Sequence, residues 1–346
     1  MKSTDFLKNK TVLITGGTGS FGRNFVEYLL KNSKVKKLIV FSRDEFKQFQ
    51  MMEELKDERL RFFLGDIRDR ERLARAFHGV DIVVHAAALK QVPALEYNPF
   101  EAVKTNVIGT QNVIEEAVDQ GVDKVLLVST DKAALPVSLY GATKLCAEKL
   151  FVSANSYSGN RVKFSAVRYG NVMGSRGSII EKIIKTKKLD TVHITHEEMT
   201  RFWINLEQSF ELVLFALQNM EGGEIFVPKI PSMKLAELFN VLAPGAKRHV
   251  IGIRPGEKIH EVLLSEEEAC HAIELSKYKY YVILPENSEM FNIGLRFKKY
   301  FKIGRKLPPD FSYESHTNKE WLSNDDFRKF IEGLQKRLAS SKNKHD

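Results

Sequence analysis

Cysteine is scarce: the 346 residues include 2 Cys, 2 Trp and 10 Pro. Cys146 and Cys270 provide neither a disulfide framework nor a cysteine metal cluster, so reduced thiols in a cytoplasmic protein without a metal site are expected. Long apolar runs are missing too. No stretch approaches the ~18 apolar residues of a membrane span, and the start, MKSTDFLKNK, lacks the apolar region of a signal peptide. Neither a fixed-period repeat nor a low-complexity linker occurs. With 43% hydrophobic and 28% charged residues, the chain falls outside the disordered, collagenous and coiled-coil classes. Charge of one sign is also limited. The net +9 is concentrated late, with six basic side chains and no acid in residues 296–306. The first 295 residues are nearly balanced, so nucleic-acid binding by the main fold is not expected.

Short β-rich runs alternate with helix-length segments in the first half: TVLIT (11–15), KLIVF (37–41), RFFLG (61–65), DIVVHAA (81–87), KVLLVST (124–130) and KFSAVRY (163–169). This rhythm predicts an α/β fold, a Rossmann-like doubly wound parallel sheet. Residues 1–171 form its dinucleotide-binding half, with returning elements at about 203–228. Residues 172–346 form mainly a smaller, interleaved substrate region and a tail. Residues 100–120 read as one helix with Val103, Val107, Val113 and Val118 on its core face. Ser323 and Asp326 cap a final helix that docks by Phe327, Phe330, Ile331, Leu334 and Leu338. Cys146 reads as core.

The first strand runs into Gly16-Gly17-Thr18-Gly19-Ser20-Phe21-Gly22 and then a helix. Gly16 permits the tight turn, Gly19 lets the backbone approach a pyrophosphate, and Gly22 allows close helix–strand packing, with the helix N-terminus toward the phosphates. The second strand ends in Ser42-Arg43-Asp44. Arg43, with Ser42 and Lys47, suits the 2′-phosphate of NADP, which is the predicted cofactor, while Asp44 keeps NAD as the alternative. Asp66, followed by Ile67, is placed to hydrogen-bond adenine. Ala86, Ala87 and Ala88 let a dinucleotide lie close. Tyr140 and Lys144, four apart on a helix, share a face. An ammonium beside a phenol favours phenolate, which can take a proton from a substrate hydroxyl.

With Ser129-Thr130 ending the fifth strand, these residues resemble the short-chain dehydrogenase/reductase pattern. The length and the region after 171 match its extended branch, whose members act on nucleotide sugars. The segments SFGRNF, SRDEFKQ, HAAALKQVPALEYNPFEAVKTN, STDKA, LYGATKLCAEKLFVSAN, RYGNVMGSRGS, MTRFW, GGEIFVPKIPSMK and IGIRPGEKIHE resemble the inverting UDP-N-acetylglucosamine 4,6-dehydratases that open pseudaminic acid synthesis. The resemblance implies that Tyr140, with Lys144 and Thr130, removes the proton of the hydroxyl at sugar carbon 4. It makes Lys132, its amine partly neutral, the base at carbon 5, and protonated Asp131 the donor to the departing hydroxyl at carbon 6. It places Lys90 and Asn106 at the cofactor, and Lys90 at the substrate as well. Thr200, Arg201 and Arg254 belong to the pyrophosphate site, and Asn171, Arg176, Lys229, Met233 and Glu257 hold the nucleotide. A homo-oligomer, a hexamer, is also implied. The alternatives are a retaining dehydratase, a UDP-sugar 4-epimerase and a non-catalytic NADP-binding scaffold. Two positions depart from the family wording: Gln91 where His is frequent, and Leu135 where Asn is common before Pro136.

Overall fold

The computed structural model describes residues 4–159, 161–175, 178–186, 190–287 and 291–342. Continuous apolar runs mark the first strands because helices cover both faces of the sheet they build. β1 (Thr11–Thr15) is buried throughout and β2 (Lys37–Ser42) beyond its first residue. With β3 (Leu60–Leu64), β4 (Ile82–His85), β5 (Lys124–Val128), β6 (Lys163–Val167) and β7 (Ile225–Pro228), they form a parallel run in the order β3-β2-β1-β4-β5-β6-β7. α1 (Ser20–Asn32) follows β1, α2 (Glu45–Leu55) follows β2, and α3 (Leu139–Tyr157) crosses from β5 to β6. The strand order reverses between β1 and β4. That switch point opens a crevice beyond the carboxyl ends of the strands.

The sheet does not stop at β7. β8 (Ala272–Leu275), β9 (Tyr280–Ile283) and β10 (Arg305–Lys306) extend it antiparallel to ten strands, well past the expected return at 203–228. Antiparallel neighbours need only a tight turn, so the strand–helix rhythm that reveals the first six strands does not reveal these. A separate core gathers Met173, Ile180, Trp203, Met233, Leu238 and Phe239 beneath the final helix, Asn324–Lys342. Phe327 and Ile331 are buried there, with Phe330 and Leu334 packed alongside, and Ser323 Oγ accepts from the Asp326 N–H at 3.1 Å. The Leu338 side chain lies outside the described residues.

Two local readings are corrected. Residues 99–119 are one continuous helical stretch, but a π turn, Lys104–Ile108, interrupts its α geometry between Pro99–Val103 and Gly109–Asp119. The extra residue in that turn rotates the buried face: Asn106, Thr110, Val113 and Ile114 are buried, while Val103 and Val107 are half-buried. Cys146 is exposed, since two residues on from the buried Lys144 is roughly the opposite side of a helix.

Candidate active site

The crevice is a cleft of about 740 Å³ that begins at the glycine loop. Gly16 has φ of 65°, and a Cβ there would lie 2.9 Å from the Ala87 backbone. At Gly22 a Cβ would come within 2.5 Å of the Gly16 carbonyl oxygen, so both turn and helix need a bare Cα. Gly19 caps α1 without a side chain, which leaves the positive end of the helix at the cleft wall, as a pyrophosphate requires. Thr18, Ser20 and Phe21 line the same end, and Ala86, Ala87, Ala88 and Lys90 line the floor. Asn106 is displaced from its expected place. It sits behind the floor, its Oδ1 accepting from the Leu89 N–H at 2.8 Å and its Nδ2 donating to the Leu89 carbonyl at 2.9 Å, and so it shapes the cleft without lining it. Buried His85 supports the same loop, with Nδ1 2.7 Å from Thr15 Oγ1 and Nε2 3.1 Å from Thr110 Oγ1.

Ser42, Arg43, Lys47, Asp66 and Ile67 line the far end. Asp44 caps α2, its Oδ1 accepting from the Lys47 N–H at 3.0 Å while its Oδ2 meets Lys47 Nζ. Arg43 is half-exposed, with Nη1 3.5 Å from Asp66 Oδ2. Burial raises the Asp66 carboxyl, but hydrogen bonds from Arg68 outweigh this and hold it below its ordinary value.

At the other end, a turn after β5 brings Thr130, Asp131 and Lys132 beside Tyr140, the second residue of α3. Asp131 is fully buried; its Oδ1 accepts from Thr130 Oγ1 at 2.9 Å and from Lys132 Nζ at 3.1 Å. Lys132 lines the cleft and Asp131 lies behind it, in contact with Lys132. The partly neutral amine is corrected. Lys132 Nζ stands between Asp131 and Glu261, the latter at 3.2 Å, and these charges overcome burial and raise its pKa. Burial pushes the Tyr140 phenol up to about 12, against the lowering effects of the Lys132 charge and a Thr130 hydrogen bond. Lys144 is pushed down to about 8 by burial, and its Nζ donates to the Val128 carbonyl at 2.9 Å. The net shift of the phenol is upward, opposite to the expected lowering toward phenolate, and the cation that opposes it is Lys132, where Lys144 was expected.

The substrate candidates separate. Asn171 and Lys90 line the cleft, and Arg176 lies outside the described residues. Thr200 is buried, its Oγ1 2.6 Å from Ser315 Oγ. Arg201 is also buried, and it donates to the carbonyls of Thr200, Ile259 and Lys258, so it braces the protein where a pyrophosphate clamp was expected. Lys229 pairs with Glu274, and Met233 belongs to the second core. Arg254 is exposed, 3.8 Å from Glu257, in a loop whose Gly256 packs on Ser138 and Val92. Some residues within the family-resembling segments line the cleft without having been assigned a role. Ser129 Oγ, Thr105 Oγ1 and Trp203 Nε1 line it and have no hydrogen-bond partner among the described residues. Buried polar atoms of this kind fit a bound polar ligand. Glu261 closes a sequence segment already singled out, IGIRPGEKIHE, but only the fold brings it to Lys132.

The family described as polysaccharide biosynthesis protein matches residues 12–283. The chain is 47% identical over 323 residues to an inverting UDP-N-acetylglucosamine 4,6-dehydratase of Campylobacter jejuni, covering 91% of this chain and 95% of that one. It is 41% identical to a UDP-glucose 4-epimerase of Rickettsia felis, covering 90% and 92%. Among solved structures it is similar to Pen from Bacillus thuringiensis, with a TM-score of 0.85 and 38% identity over 95% of this chain and 99% of that one. It is also similar to DesIV, a dTDP-glucose 4,6-dehydratase of Streptomyces venezuelae with NAD and TYD bound, at a TM-score of 0.66 and 25% identity over 72% and 86%.

Proposed function

The chain belongs to the polysaccharide biosynthesis protein family of extended short-chain dehydrogenases/reductases, and from that membership we propose that it is an NADP-dependent, inverting UDP-N-acetylglucosamine 4,6-dehydratase. The observation that carries the reading is the Asp131–Lys132 pair, with Lys132 in the cleft wall beside Tyr140 and Asp131 behind it. A 4-epimerase needs only a group that moves the carbon-4 proton, and this pair would have no work there. Arg43 and Lys47 at the cleft, with the Asp44 carboxylate engaged as a helix cap, favour the 2′-phosphate of NADP.

When bound, NADP supplies a hydride acceptor for carbon 4 and returns the hydride at carbon 6, so no net redox change occurs. Tyr140 takes the proton of the carbon-4 hydroxyl. The resulting ketone acidifies the hydrogen at carbon 5. Lys132, once it has passed a proton to Asp131 across their 3.1 Å contact, removes that hydrogen. The departing carbon-6 hydroxyl takes its proton from Lys132, and Asp131 serves as the store behind it. Water leaves, and carbon 5 is reprotonated by solvent water on the face opposite Lys132, with Tyr140 returning to solvent the proton it took from the carbon-4 hydroxyl, so the protons balance and that centre is inverted. The product is a UDP-4-keto-6-deoxy-L-arabino-hexose for pseudaminic acid or a related glycan, made by a cytoplasmic homo-oligomer, a hexamer. Incubating purified protein with UDP-N-acetylglucosamine and NADP should give a product lighter by one water in mass spectrometry, with inverted carbon 5 by proton NMR. No loss of water overturns the dehydratase reading, and retained configuration overturns the stereochemistry.

A further inference from the structure

None of these steps uses Glu261, yet it is among the most firmly placed side chains at the reactive corner. Its backbone is held at both polar groups by Ser315: the Glu261 N–H donates to Ser315 Oγ at 2.9 Å, and its carbonyl accepts from the Ser315 N–H at 2.8 Å. Its side chain is 2% exposed, with Oε1 3.2 Å from Lys132 Nζ and 3.6 Å from Arg201 Nε. Lys258, from the same segment, donates to the Ala134 carbonyl at 2.6 Å. Segment 258–261 is thereby tied twice to the turn that carries Lys132.

Two buried carboxylates flank one ammonium, and like charges so close do not both ionise readily. They differ in their other partners. Glu261 has Arg201 as a second cation, and Arg201 is itself fixed by three carbonyls. Asp131 has no second cation within ion-pair distance among the described residues, and its Oδ2 is buried without a hydrogen-bond partner there. Burial pushes both carboxyls up; at Asp131 it prevails, whereas at Glu261 the charges of Lys132 and Arg201 outweigh it and hold the group below its ordinary value. Among the described residues, the charged and titratable groups around the cluster include Asp131 and Lys132 on the turn, Arg201 on the strand Thr200–Ile204, Lys258 on the segment itself, Tyr140 on α3, and Lys90 on the cleft floor, whose charge acts against that of Lys132. The neighbouring His260 stacks on His316.

We propose that Glu261 is a positioning residue for the Asp131–Lys132 pair: its fixed negative charge holds the Lys132 amine at the cleft wall and sets how many protons the pair carries at working pH. The inference rests on reading that pair as the elimination machinery. A coupled pair releases its protons in two steps that belong to the pair as a unit, and removing a neighbouring negative charge lowers both.

If elimination requires one proton on the pair, Glu261→Gln moves both limbs of the kcat–pH profile downward by roughly 1 to 3 pH units, the range for loss of one close charge, and Glu261→Asp restores them toward their original positions. A profile lower at every pH but with unmoved limbs overturns the proposal, since a merely structural role would produce it. The second measurement needs no turnover: carboxyl carbon-13 NMR titration of the full chain, with Asp131 assigned through Asp131→Asn. The Asp131 midpoint should lie above that of Glu261 in the unaltered protein and fall in Glu261→Gln. The reverse order, or an unmoved Asp131 midpoint, overturns the proposal. The order in the unaltered protein decides the matter even if the Gln variant does not fold. Absence of water loss by the unaltered enzyme refutes the dehydratase reading and leaves the titration to judge Glu261.

Discussion

Replacing Arg168 by Met tests how the two halves of the molecule are joined. Arg168 is fully buried at the end of β6, and each of its guanidinium N–H groups meets an acceptor. Nε and Nη2 reach the two Glu148 oxygens at 3.1 and 2.6 Å. Nη1 and Nη2 reach the two Glu268 oxygens at 2.7 and 2.8 Å, and Nη1 also reaches the Leu263 carbonyl at 3.1 Å. Met keeps much of the volume but strands the Glu148 carboxylate, which is 0% exposed. Breaking a buried pair in this way costs about 3 to 5 kcal/mol, a large part of a typical folding stability of about 5 to 15 kcal/mol. Glu268, with 21% side-chain exposure, recovers part of its hydration and adds less. Urea unfolding of the full chain at neutral pH should show that loss as a lower midpoint. The deficit should shrink on mild acidification, because protonation neutralises the stranded carboxylate, and Arg168→Met combined with Glu148→Leu should recover much of it. A loss below about 1 kcal/mol, or a double variant no better than the single, would refute the argument that buried charge drives the effect.

Gly22→Ala forces a Cβ to within 2.5 Å of the Gly16 carbonyl and 2.6 Å of Gly17 Cα; it should cost about 1 to 3 kcal/mol and weaken NADP binding in calorimetry, and an unchanged affinity contradicts the loop assignment. Arg43→Ala should reduce NADP affinity roughly tenfold or more and leave NAD affinity nearly unchanged; equal losses for both would remove Arg43 from the 2′-phosphate site. Leu135 is exposed and has φ of 46°, a region that L-residues other than Asn and Asp resist, so Leu135→Asn should raise the urea midpoint by about 1 kcal/mol in stability, and a lower midpoint counts against strain at that turn. Burial pushes His85 down to about 3. The unfolded chain takes up that proton below its ordinary value near 6.5 while the folded chain does not. Stability should therefore fall by about 2 kcal/mol between pH 7 and pH 5 from this residue; His85→Asn should lose less over the same interval, and identical acid sensitivity would refute the assignment.

The features visible in the sequence are those whose cause is local. The glycine loop stands out in the sequence because strand, glycines and helix follow one another directly and the close approach at Gly22 is to Gly16 and Gly17, whereas the approach of Gly16 to the Ala87 backbone appears only in the fold. Thr130, Asp131, Lys132 and Tyr140 are found together because one turn and the first residues of one helix carry them. Arg201 and Lys229 mislead for the opposite reason: a sequence displays a cation but not the carboxylate or carbonyls that occupy it, here Glu261 with three carbonyls, and Glu274. The π turn at Lys104–Ile108 escapes because valine spacing looks the same until one extra residue is wound in. Leu135 lies between these cases, since its departure from the family wording was visible and its left-handed backbone supplies the reason for Asn there.

The late strands β8, β9 and β10 also constrain how the molecule is made. β7 has β6 on one side and β9 on the other, so during synthesis the growing sheet presents an unpaired edge until Tyr280–Ile283 has emerged. Such an edge is a template for pairing with another chain, and domains that wait for distant segments close slowly. Shortening the chain before residue 283 would remove the outer neighbour of β7 along with the tail. A fragment ending near 171, although it contains the whole glycine loop and the Tyr140 helix, would expose β6 as a bare edge and is expected to aggregate during synthesis.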